Sequence, residues 1–180
     1  MTLVLLNGTS SSGKSSIAAE LAGHLPAPVF RLAVDDFLRM ARWPDDATLD
    51  ELAAPLRRMR AGFHRAVAGM AAAGNAVVVD HVLSEPWRLS DCLDVLPAAD
   101  VFFVGVRCSL DEVVRREAAR GDRESGIAAA QFPVVHAHGL YDLTVDTTAT
   151  SPAACARRIA DGLSRRPRPT AFERLRAQRA

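Results

Sequence analysis

The sequence predicts an α/β fold in which about five parallel strands carry helices on both faces. Three observations lead there. Short apolar runs alternate with helical spacing along the whole chain, a glycine- and serine-rich loop sits at the first strand-to-helix junction, and the third and fourth runs, "AVVVD" (76–80) and "VFFVGVR" (101–107), are almost unbroken. Near-continuous apolar strands are covered on both faces, and alternation of strand with helix brings a parallel sheet with right-handed crossovers.

The elements follow in order. "LVLLN" (3–7) reads as the first strand, and "KSSIAAELAGHL" (14–25) as a helix with Ile17, Leu21 and Leu25 on one face. "PVFRLAV" (28–34) is the second strand, placing Asp35 at its end before the helix "DFLRM". Leu49, Leu52, Leu56, Met59, Phe63, Val67 and Met70 then mark a long amphipathic helix or a broken pair. Thr48 with Glu51, and Ser109 with Glu112, have capping-box spacing, and Ser151-Pro152 is an N-cap with proline at the first helical position. "LTVD" (143–146) supplies the fifth strand.

Residues 1–163 are expected to form a single domain. The tail, 164–180, has six arginines against one glutamate and is expected to be a solvated linker with a short surface helix. A chain of 180 residues with 49% hydrophobic composition can bury a full core without disulfides. Its net charge of +1 gives no field that favours nucleic acid or a membrane surface, and no apolar run reaches the roughly 20 residues of a membrane span. Cys92, Cys108 and Cys155 are odd in number and show no CxxC spacing, which together with an N-terminal run too short for a signal peptide points to reduced thiols in a cytoplasm. A homo-oligomer is left open.

The loop "GTSSSGKS", Gly8 to Ser15, fits G-x-x-x-x-G-K-[ST] between a strand and a helix. Gly8, Thr9, Ser10, Ser11, Ser12, Gly13, Lys14, Ser15 and Ser16 are therefore the candidate nucleotide-binding residues. Glycines let backbone N–H groups wrap a phosphate, and the helix N-terminus adds positive potential. Lys14 would reach the β and γ phosphates of ATP, and the Ser15 hydroxyl would bind Mg²⁺. Lys14 is the only lysine among 22 Lys and Arg residues, and it occupies the position that needs a compact ammonium. The fold expected is thus the P-loop NTPase fold of the nucleotide-kinase type.

Ligands of open α/β sheets gather at the carboxyl ends of the strands. Asp80, after "AVVV", is the candidate second metal ligand. Asp35 and Asp36 are either a helix-capping pair or a catalytic base with a neighbour, and spacing alone does not choose between them. Phe37 and His81 are candidate acceptor contacts. "RREAARGDRESG" (115–126) reads as an arginine-rich lid, with Arg116 and Arg120 against the nucleotide and Arg120 and Arg123 against the transferred phosphoryl group. His136 and His138, two residues apart, diverge on a helix and are expected to pack or touch substrate rather than chelate.

Taken together, "LLNGTSSSGKSS", "AVDDF" and the stretch from residue 103 to 148, with Arg-Gly-Asp-Arg, Val-Val-His, Tyr-Asp and Val-Asp-Thr-Thr in order, resemble the chloramphenicol phosphotransferases. These are small P-loop kinases that inactivate an antibiotic by phosphorylating a hydroxyl. The resemblance implies Asp35 as the base that activates the acceptor hydroxyl, Arg120 and Arg123 as lid arginines, and chloramphenicol or a related small hydroxylated metabolite as acceptor. The family's glycine-rich insertion between residues 37 and 75 is replaced here by "ARWPDDATLDELAAPLRRMRAGFHRAV". That replacement opens other acceptors: a nucleoside, a sugar or a shikimate-like metabolite. Arginines within 57–65 facing the site would indicate an anionic acceptor, whereas Trp43, Met59, Phe63 and Trp87 would indicate an aromatic one. A regulatory or toxin-like protein switched by ATP is the reading of a different class.

Overall fold

The computed structural model describes residues 2–120 and 126–179. Five parallel strands, β1 (Leu3–Asn7), β2 (Val29–Ala33), β3 (Ala76–His81), β4 (Val101–Arg107) and β5 (Leu143–Asp146), lie in the order β2-β3-β1-β4-β5. The helices are α1 (Lys14–Ala22), α2 (Val34–Met40), α3 (Leu49–Ala72), α4 (Pro86–Val95), α5 (Leu110–Arg120), α6 (Ile127–Gln131), α7 (Pro152–Leu163) and α8 (Ala171–Ala177).

Strand alternation divides the core. Val4, Leu6, Val78, Phe102, Val104 and Val106 face α1 and α7, where they meet Ile17, Leu21, Cys155 and Ile159. Leu3, Leu5, Val77, Val79, Val101 and Phe103 face the other way, onto Phe63 and Val67 of α3, Cys92 and Leu93 of α4, and Phe172 of α8. With β1 central, the loop after it opens at the middle of the carboxyl edge of the sheet.

Local signals act largely as their spacing predicts. Thr48 and Glu51 form the full capping box of α3, which runs unbroken for 24 residues with Pro55 in its first turns. Ser151 accepts the Ala154 N–H, with Pro152 opening α7. The Ser109–Glu112 box does not form. Both Glu112 oxygens are taken by Arg115 and Arg116, each bond 2.7 Å, and the Ser109 N–H donates to Thr148 Oγ1 instead. Charge-assisted bonds to two guanidiniums outweigh a neutral cap.

Two segments depart from the expected layout. β2 ends at Ala33, so Asp35 and Asp36 lie in the first turn of α2 rather than at a strand end, where two carboxylates favour the helix N-terminus. The basic tail is solvated only in part: residues 164–169 are largely exposed, but α8 buries Ala171, Phe172 and Leu175, and the Phe172 ring meets Phe103 edge-on at 5.0 Å. Arg176 donates to Leu93 O and Leu96 O at 2.5 and 2.6 Å, using tail arginine to satisfy carbonyls at the end of α4.

Candidate active site

The loop between β1 and α1 takes its shape from two left-handed residues, Ser11 (φ 59°) and Gly13 (φ 85°), and from one tight approach. A Cβ at Gly8 would stand 2.4 Å from Val106 O and 2.8 Å from Ser12 Oγ. Alternating hands of this kind turn successive N–H groups into an anion-binding concavity. Gly8→Ala is therefore expected to displace the loop and lower kcat/KM roughly 10²-fold, measurable with any substrate pair and accompanied by weaker ADP binding.

Lys14 is buried under the loop, its Nζ donating to Thr9 O at 2.6 Å, with Asp80 Oδ1 at 3.9 Å. Ser15 Oγ donates to Asp80 Oδ2 at 2.5 Å. The hydroxyl and the carboxylate come from α1 and β3, and both line the cleft next to the loop. Two hard oxygen donors beside the loop fit Mg²⁺, which keeps most of its remaining ligands as water and phosphate oxygens.

On one side of the loop a cleft of about 550 Å³ is lined by Ser11, Gly13, Lys14, Ser15, Ser16, Arg115, Arg116, Ala119, Arg120, Thr147, Thr150 and Pro152. Arg116 is fixed across it: Nε donates to Glu112 and Nη2 to Thr147 O, both at 2.7 Å. Thr147 Oγ1 in turn donates to Ser12 O at 2.9 Å, so loop, α5 and the segment after β5 are tied together. Nothing in the spacing assigned Thr147 a role, although it lies in the Val-Asp-Thr-Thr stretch. Gln131 was missed too, and its Oε1 accepts the Ser10 N–H at 2.7 Å.

On the other side a cleft of about 570 Å³ is lined by residues of β2 and α2, including Asp35, Asp36 and Arg39, together with Ser15, Asp80 and Arg120. Between the two clefts lies a narrow passage, about 30 Å³, where Lys14, Ser15, Asp80 and Arg120 meet Ala33, Val34, Asp35 and Val82. Arg120 borders all three spaces. Asp35 is half-buried, while Asp36 is exposed and paired with Arg39. Arg123 lies outside the described residues.

Phe37 packs its ring against Phe63 at 5.0 Å, a contact that seats α2 on α3. His81 is not an acceptor contact. It is fully buried, because β3 turns it away from Asp80 into the α3 side of the sheet, with its Nε2 2.8 Å from His64 Nε2. His64 Nδ1 lies 2.6 Å from the Asp91 carboxylate, so Nδ1 carries a proton for Asp91 and the neutral ring accepts from His81 at Nε2. His136 and His138 pack on Tyr141, both reaching its OH, at 2.6 and 3.0 Å, beside the 2.8 Å bond that Asn7 Nδ2 donates to the same oxygen.

Burial lowers the pKa of all four of these histidines, to about 4 for His136 and His138. An unfolded chain protonates them near 6.5. The folded state thus binds fewer protons, and the stability they give is fully present above about pH 6.5 and lost as pH falls toward 4. Thermal melts at steps across that window should show Tm falling with acidity, and less steeply in His138→Gln.

The strand order, the loop with its lysine and serine, and Asp80 of β3 facing that loop define a P-loop kinase, a phosphotransferase. The chain belongs to the chloramphenicol phosphotransferase-like family, whose model matches residues 1–164. It is 34% identical to the Mycobacterium tuberculosis protein named "Putative O-phosphotransferase Rv2636", over 97% of this chain and 87% of that one. In fold it is similar to a sugar kinase from Janibacter sp. HTCC2649, with a TM-score of 0.68, 15% identity, and 91% of this chain and 95% of that one covered. It is similar also to the tunicamycin resistance protein of Deinococcus radiodurans, with a TM-score of 0.66, 15% identity, and 91% and 96% covered. Among the described residues no helix is long and apolar enough to cross a membrane.

Proposed function

We propose that the chain transfers the γ-phosphoryl group of ATP to a hydroxyl of a small acceptor, with Asp35 as general base. The observation that carries this is the narrow passage in which Asp35 meets Lys14, Ser15, Asp80 and Arg120. ATP would lie along the Arg116 cleft with its phosphates in the loop, and the acceptor would enter from the β2 and α2 side. Asp35 takes the hydroxyl proton, the acceptor oxygen bonds to the γ phosphorus, and the bond from that phosphorus to the β-bridging oxygen breaks, leaving ADP. Lys14 and Arg120 stabilise the charge on the moving group and on the leaving oxygen. Ser15 and Asp80 would hold Mg²⁺, whose contribution when bound is to neutralise charge on the β and γ phosphates.

Chloramphenicol is the acceptor suggested by the family's description, and another hydroxylated metabolite is the second reading. The second is favoured by what happens to the expected aromatic wall. Phe63 is fully buried, Met59 packs on the core, and Trp87 is covered by Arg57 at 4.6 Å and donates to Glu85. Trp43 donates to Leu38 O, and the apolar lining beside Asp35 comes instead from Val29, Phe30, Leu32 and Val78, so none of the expected aromatic set is the wall the acceptor would meet. A cytoplasmic setting follows from the ATP requirement. The test is ADP formation from ATP and Mg²⁺ in the presence of chloramphenicol, sugars, nucleosides and hydroxy acids, with products read by mass. Acceptor-dependent ADP release with one phosphoryl group gained supports the reading; nucleotide binding with no turnover on any acceptor supports a regulatory protein instead.

A further inference from the structure

The peptide between Thr9 and Ser10 is held from both sides. Its carbonyl, Thr9 O, accepts from Lys14 Nζ at 2.6 Å and from the Ser12 N–H at 3.3 Å. Its N–H, that of Ser10, donates to Gln131 Oε1 at 2.7 Å. A trans peptide points these two groups in opposite directions, so bonds to both fix the plane of the unit. Thr9 and Ser10 are buried, and Ser10 borders the passage that holds Asp35, Lys14 and Arg120. Ser11, the next residue, takes a left-handed φ of 59°. That conformation is unfavourable for a residue other than glycine and persists where the surrounding structure holds it.

Gln131 reaches the loop from the end of α6, a helix fixed on both sides. Before it, Glu117, buried on α5, accepts the N–H groups of Gly126 at 2.8 Å and Ala128 at 2.9 Å. Ala128 packs with Val113 of α5 and with Cys108. Beyond the helix, Val135 O accepts from Asn7 Nδ2 at 2.8 Å, at the end of β1. The glutamine is thus presented by an anchored segment that follows the arginine-rich stretch in sequence. The face of its amide is set as well, because a backbone N–H only donates and so requires Oε1 toward Ser10.

We propose that Gln131 is a positioning residue for phosphoryl transfer, acting on Lys14 through the Thr9–Ser10 peptide. This rests on the phosphotransferase reading. A lysine ammonium on a flexible stem sits where its hydrogen bonds place it. Thr9 O lies nearer to Lys14 Nζ than Ser12 Oγ does, which is 3.5 Å away. The bond from Gln131 keeps that carbonyl turned toward the lysine and, by polarising the peptide, strengthens it as an acceptor. Loss of the amide lets the peptide turn, and the ammonium then drifts from the path of the moving phosphoryl group.

Lys14 is the only lysine in the chain, so lysine labelled with carbon-13 at Cε gives one side-chain signal by NMR. The full chain is compared empty and saturated with Mg²⁺ and the non-hydrolysable ATP analogue AMPPNP. Gln131→Met and Gln131→Leu remove the acceptor oxygen, whereas Gln131→Glu keeps one. In the empty chain the first two are expected to shift or broaden the Lys14 signal, and Gln131→Glu to leave it near its wild-type position, with Tm little changed. With a turned-over acceptor, Gln131→Met should lower kcat roughly 10- to 100-fold and change the acceptor KM less than about threefold. A Lys14 signal unmoved in Gln131→Met and Gln131→Leu, or moved equally by Gln131→Glu, overturns the assignment, as does an unchanged kcat. Loss of the fold in both removal variants also overturns it, making the residue structural. A signal that moves as expected in a wild-type background that phosphorylates no acceptor removes the phosphotransferase reading, and the proposal with it, while the tie between Gln131 and Lys14 stands.

Discussion

Asp35→Asn is expected to lower kcat for phosphoryl transfer about 10²- to 10⁴-fold, while AMPPNP affinity should change no more than a few-fold. The substitution keeps the shape of the side chain and removes only its capacity to take a proton. Asp35 and Asp36 differ by one position in the first turn of α2, yet the turn gives them different surroundings. Asp35 borders the passage with Lys14 and Arg120, whereas Asp36 is exposed and paired with Arg39. Asp36→Asn is accordingly expected to retain most of the activity. Steady-state rates with a turned-over acceptor, alongside calorimetric nucleotide binding, separate these outcomes. Equal losses in the two variants would mean that the pair acts on α2 as a whole.

Phe63→Ala is expected to cost about 3–5 kcal/mol, which for a chain of this length lowers Tm by roughly 6–20 °C. The ring is fully buried and meets Phe37 at 5.0 Å and His81 at 5.5 Å, both edge-on. Its loss leaves a void where α3, α2 and β3 converge. α2 carries Asp35, so the same void also loosens the proposed base. Differential scanning calorimetry should show the drop in Tm, and activity well below that Tm should fall as well. A Tm within a degree or two of wild type would show that α2 and α3 repack around the void.

The sheet was legible because its signals are local. All five strands begin and end within one residue of the apolar runs, and the loop is identified by spacing and by a single lysine. Features that depend on how elements meet were not legible. Two adjacent aspartates after an apolar run read as a strand end, and only the extended backbone at Ala33 followed by a helical turn shows that α2 begins at Val34. In α8 the arginines hide Ala171, Phe172 and Leu175, whose burial depends on space left between β4 and α4. His81 follows Asp80 in sequence but faces the opposite side of the sheet, so adjacency misled where alternation would have corrected it. Acceptor recognition lies in this tertiary arrangement, which explains why the chemistry was easier to read than the substrate.

The most direct test follows a labelled γ-phosphoryl group from ATP in single-turnover mixtures of the wild-type chain, Mg²⁺ and an acceptor panel that includes hydroxy acids. Label is expected in an ester of the acceptor, with an equal yield of ADP, none on the protein, and almost none after Asp35→Asn. Label recovered only as inorganic phosphate, or retained on ATP that is demonstrably bound, would contradict the assignment of this chain as an acceptor kinase with Asp35 as its base.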